Sequence, residues 1–188
     1  PSGWTNKDVT VTVEVTIEGY TIETSKNGTD WNATNKLVYS ENGKVYVKLI
    51  KENGEAYEEI FEGEVTNIDK SKPVITGATG EEKSIKLTAT DDISGIVGYT
   101  ATTSNLIPNS FISCSSTKAL KVTIPNIQEN TTYYVWVKDA AGNISIAKTV
   151  QISNKDKTPP TITEVETTTN SIRLTATDEE SGIIGYTA

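Results

Sequence analysis

Asp69 to Ala101 reads DKSKPVITGATGEEKSIKLTATDDISGIVGYTA, and Asp156 to Ala188 reads DKTPPTITEVETTTNSIRLTATDEESGIIGYTA. The two stretches align without a gap at an offset of 87 residues, Pro73 falling on Pro160, with 19 identities in 33 positions. Repetition at a fixed long period marks a tandem array of modules. Inside the repeat, Ile85, Leu87 and Ala89 alternate with Lys86, Thr88 and Thr90. A period of two is that of a strand with one face in the core and one in water.

The alternation recurs on both sides of the repeat. Val9, Val11, Val13, Val15 and Ile17 predict one strand; Val45, Val47 and Leu49, then Leu120, Val122 and Ile124, then Tyr133, Val135 and Val137 predict others. The 30 Thr residues suit the solvated faces of such strands. Turn signals at Asn27-Gly28, Asn42-Gly43, Asn53-Gly54 and Gly142-Asn143 separate the runs. No window has the 3.6-residue period of a helix of ten residues or more. A weaker echo ties the first third to the second: YVKLIKENG (Tyr46 to Gly54) lies over YVWVKDAAG (Tyr134 to Gly142). The expected fold is all-β: tandem antiparallel β-sandwiches over 1–70 and 71–156, and a truncated third module over 157–188.

Val122 to Asn143, VTIPNIQENTTYYVWVKDAAGN, resembles the corresponding stretch of fibronectin type III and bacterial immunoglobulin-like domains. Ile127, Thr131 and Tyr133 fall where that pattern has its Leu, Thr and Tyr, while Glu129 stands in place of the Pro. The resemblance implies that Tyr133 is a tyrosine-corner residue, its hydroxyl bonded to backbone a few residues upstream. The first module, with SGWTNKDVTVTVEV and VTNIDKSKP, is similar to immunoglobulin-like repeats of Gram-positive surface and secreted proteins. Modules of this kind serve as spacers, adhesion units and enzyme appendages, so the resemblance implies a fold and a range of functions.

Composition narrows that range. The chain has no His, one Cys, 17 basic and 25 acidic residues and a net charge of −8. The commonest general base and metal ligand is therefore missing, and there is neither an intrachain disulfide nor a Cys-based zinc site. Arg173 is the single Arg, and the acidic balance argues against nucleic-acid binding through phosphates. No apolar run is long enough to cross a bilayer. The junctions 67–73 and 154–160 carry Asp, Lys and Pro but no Gly, which predicts short, stiff connections and an extended array of roughly 35–40 Å per module.

The expectation is a non-enzymatic spacer or display region of a larger bacterial extracellular or cell-surface protein. Its contacts would be neighbouring modules and, further out, cell-wall glycan or a host protein. An adhesive or carbohydrate-binding module and a phage tail or fibre component are the alternatives. Each candidate site has a structural reading beside the functional one. Trp136 and Tyr134 point away from Tyr133, Val135 and Val137, and on an open face they would stack on a sugar or a partner. TDDISGI, with Asp91, Asp92, Ser94 and Gly95, recurs as TDEESGI. It reads either as a turn bonded to its own backbone or as a calcium site, joined by Asp139, Asp69 and Asp156 if they share a pole. Trp4 and Trp31 read as core plugs of the first module. Cys114, with no His to activate it, reads as a small apolar residue.

Overall fold

The computed structural model describes residues 3–81, 83–128, 131–152, 158–179 and 182–187, and of residue 58 the backbone alone. The described residues contain fourteen strands and no helix, so no helix is long and apolar enough to cross a membrane. Every pairing between strands is antiparallel.

In the first module β1 (Val9–Thr12) pairs with β3 (Lys36–Tyr39), and β4 (Gly43–Lys51) runs between β2 (Tyr20–Ser25) and β5 (Ala56–Val65). Val9, Leu37, Tyr39, Val45, Val65 and Ile68 close its core. The strand expected over Val9 to Ile17 stops at Thr12, because its partner β3 is four residues long and the ladder ends with it. The Tyr39 hydroxyl donates to the Lys44 carbonyl at 2.7 Å. Asn42 clasps Ile68 through both backbone atoms, accepting from its amide at 2.7 Å and donating to its carbonyl at 3.0 Å. The tryptophans expected in this core are not there. Trp4 is 37 % exposed. Trp31 is half-buried, with the Lys48 Nζ 4.5 Å from its ring centroid, so it lies under a cation at the surface.

The second module is a seven-stranded sandwich. One sheet has the order β10-β7-β6, from Ala119–Pro125, Ser84–Thr90 and Val74–Gly80. The other has the order β12-β11-β8-β9, from Lys148–Gln151, Thr132–Asp139, Ile96–Thr102 and Ile112–Thr117. This three-plus-four arrangement is the immunoglobulin and fibronectin type III kind of sandwich. The alternating residues meet between the sheets: Ile85, Leu87, Ile96, Val135 and Val137 are each 0 % exposed, and burying such a side chain contributes about 1.5–3 kcal/mol. The Gln128 amide donates to the Tyr133 hydroxyl at 3.0 Å, five residues upstream, which is tyrosine-corner geometry. The last described element is a hairpin of β13 (Thr161–Thr167) and β14 (Ile172–Thr177). It carries Ile162, Val165, Ile172 and Leu174 exposed.

Candidate metal centre

The acids that matter sit where two core strands end. Along β7 the inward positions are Ile85, Leu87 and Ala89, and one step further in the same parity is Asp91. Along β11 they are Tyr133, Val135 and Val137, then Asp139. A register shift between Lys138 and Asp139 adds a bulge, which re-aims the side chain at the strand end. The strands belong to opposite sheets, so their final inward residues converge at one pole of the sandwich. That pole is also where the chain enters: β6 runs antiparallel to β7, with Val74 opposite Thr90. The linker just before Val74 therefore passes the same place and supplies Asp69.

One carboxylate oxygen from each of Asp69, Asp91 and Asp139 lies within 4.8 Å of the others. All three residues are buried, at 1 %, 5 % and 0 % exposure. Backbone amides surround them. Ser71 and Ser94 donate to the two oxygens of Asp69 at 2.9 and 3.1 Å. Gly95 donates to Asp91 Oδ1 at 2.7 Å. Asn143 gives Asp139 both its amide and its side-chain Nδ2, each at 2.7 Å, and the same Nδ2 reaches the Asp69 carbonyl at 3.0 Å. The turn depends on Gly95, whose φ is +81° and whose place would put a Cβ 2.6 Å from Ser116 Oγ.

None of the salt bridges among the described residues involves these acids. Two negative charges about 5 Å apart repel by about 3 kcal/mol at an effective dielectric of 20. Neutral amide donors ease that repulsion without cancelling it. Burial, together with the charges of Asp69 and Asp91, holds the Asp139 carboxyl above its ordinary pKa, although Asn143 pulls the other way. Ser94 shares the pole. It is 5 % exposed, and its hydroxyl, three bonds from the amide that serves Asp69, is enclosed without a hydrogen-bond partner.

Asp92, expected beside Asp91, is exposed and stands outside the cluster, in the bend that follows β7. Asp69 makes up the trio instead, and Asp156 lies outside the described residues. The turn recurs in the C-terminal sequence repeat, visible in one bond: Gly182 donates to Asp178 Oδ1 at 2.7 Å, as Gly95 does to Asp91. The parity of Asp91 and Asp139 with the core residues is a signal that could have marked them as inward-facing.

The open aromatic face is not present as expected. Trp136 is 6 % exposed and Tyr134 is half-buried. Gly98, paired with Lys138, leaves the space that Phe111 fills: a Cβ at Gly98 would stand 3.0 Å from that of Phe111. Lys138 Nζ lies 5.9 Å from the Phe111 ring centroid. The segment around Phe111 thus folds over the face that Trp136 shares with Lys138. Cys114 is half-buried, and burial pushes its thiol pKa up, away from the reactive thiolate.

No family profile and no curated protein matches the chain. Among solved structures it is similar to fibronectin(III)-like modules of Clostridium thermocellum CbhA, at 18 % identity and a TM-score of 0.37, over 81 % of this chain and 88 % of that one. It is also similar to the chicken interferon gamma receptor alpha chain, at 11 % identity and a TM-score of 0.37, over 81 % of this chain and 95 % of that one. The strand order of the second module is what assigns the fold.

Proposed function

We propose that the chain is a non-catalytic spacing region, made of modules joined end to end, within a larger extracellular bacterial protein. The observation that carries this reading is the division of the apolar core. The buried cluster of Val9 to Ile68 and that of Ile85 to Ile152 are separate, each closed within its own module. The buried acids gather where the linker enters the second module and not in a cleft shaped for a substrate. The N-terminal stretch straps that linker down: Thr5 donates to the Asn67 carbonyl and accepts from the Asp69 amide, both at 2.9 Å, and Lys70 pairs with Asp8. A connection held this way transmits position from one module to the next, as a spacer requires.

Small-angle scattering of the 188-residue chain tests the reading. A compact particle of this length has a radius of gyration of about 16 Å, whereas modules in line give more than about 20 Å. A value near the lower figure, or a pair-distance distribution without an extended tail, refutes the proposal.

A further inference from the structure

We propose that Asp69, Asp91, Asp139 and the Ser94 hydroxyl form a site for a calcium-class divalent cation that fastens the linker to the second module. This goes beyond the spacer reading and does not depend on it, since a cation can bind here whatever the parent protein does.

Three observations converge. The first is spacing: oxygens bound to calcium lie about 2.4 Å from it, so two of them can stand at most about 4.8 Å apart, and the three carboxylates meet that limit before any rearrangement. The second is charge. Three buried carboxylates share one pole, and no salt bridge among the described residues neutralises them. The third is the orphaned Ser94 oxygen, a buried neutral donor atom with nothing to bond. Turn geometry explains the amide bonds to the carboxylates, but it gives that hydroxyl no partner. A cation would supply both the missing positive charge and a use for the hydroxyl. The donor set is all oxygen and drawn from the protein, the kind that suits calcium; magnesium keeps most of its water and favours phosphate ligands.

The three acids come from segments 22 and 48 residues apart. A bound ion would therefore tie the end of β7, the end of β11 and the linker together. Asn143 already bridges Asp139 and the Asp69 carbonyl, so the linker is in place to be held.

Isothermal titration calorimetry of the chelator-treated chain with calcium chloride, and separately with magnesium chloride, tests the site. Scanning calorimetry in calcium and in chelator runs beside it. One saturable calcium event is expected, with a dissociation constant of about 10⁻³ M or tighter, the range of extracellular modules. Magnesium is expected to bind at least tenfold more weakly. Calcium is expected to raise the melting temperature of the second module, and chelator to reverse the rise. Asp91→Asn and Asp139→Asn should each weaken binding tenfold or more, Ser94→Ala by a smaller factor, and Asp92→Asn not at all. If one Asn variant does not fold, the other and the wild-type titration still decide. No saturable heat at ~10 mM calcium overturns the proposal, as does a site that survives both Asn substitutions. The first result would mean that the cluster holds no calcium, the second that calcium binds elsewhere on the chain. Neither readout depends on the particle's length, so failure here and failure of the spacer reading are distinguishable.

Discussion

Leu87 and Leu174 hold the same place in the repeat, SIKLTAT against SIRLTAT, yet the structure treats them oppositely. Leu87 is 0 % exposed between two sheets, while Leu174 is 43 % exposed on a two-stranded hairpin. Truncating each to Ala is a controlled experiment, because propensity and neighbouring sequence are nearly matched and the difference left is burial. A buried Leu→Ala change loses transfer free energy and leaves a cavity, costing about 2–5 kcal/mol. Taking ~3 kcal/mol, and about 4–8 °C per kcal/mol for a domain of this size, Leu87→Ala should lower the melting temperature of the second module by about 12–24 °C. Leu174→Ala removes a side chain already in water on one side and should cost well under ~1 kcal/mol. Scanning calorimetry of the whole chain reads both, and the two separate cores predict that the first module's transition stays in place. Equal shifts in the two variants would refute the burial argument. So would a Leu87→Ala scan that overlays the wild type.

Three further outcomes follow from the same structure. Gly95→Ala forces a Cβ into left-handed backbone and against Ser116 Oγ; it should destabilise the second module by about 1–3 kcal/mol, and a urea midpoint equal to wild type would contradict that. Tyr133→Phe leaves the Gln128 amide without its acceptor and should cost about 1 kcal/mol in the same assay; a gain in stability would count against the tyrosine corner. The third concerns pH. In chelator, burial first, and then the charges of Asp69 and Asp91, keep the proton on the folded Asp139 to higher pH than in the unfolded chain. Between the ordinary carboxylate pKa of about 3.9 and the raised folded value, the native state binds more protons, so this group's contribution to stability falls as pH rises. Asp139→Asn should therefore gain on the wild type in melting temperature as pH climbs through that window, and a constant difference would show that the raised pKa has no bearing on stability.

Much of the fold was legible because alternation states which residues share a face. Ile85, Leu87 and Ala89, or Tyr133, Val135 and Val137, could be read inward from the sequence, and they are the core. Alternation does not say how long a partner strand is, so the run from Val9 was read past Thr12, where β3 gives out. Nor does it say what crosses an outward face. Trp136 has outward parity, but the segment around Phe111 lies over its side of the sheet, information held in residues far along the chain. The acidic trio was half legible. Asp91 and Asp139 extend two core alternations, but the third member could be named only conditionally, because a linker residue has no period to place it.

Asp69 also bears on how the chain should be divided for expression. A fragment trimmed at the visible seam, starting at Ser71, leaves behind one of the three acids that meet at the top of the second sandwich. It also loses Thr5, whose backbone holds Asp69 in register. The seam seen in the sequence and the smallest complete piece are thus different cuts, and the better-behaved recombinant product should begin ahead of Thr5 and keep the whole preceding sandwich.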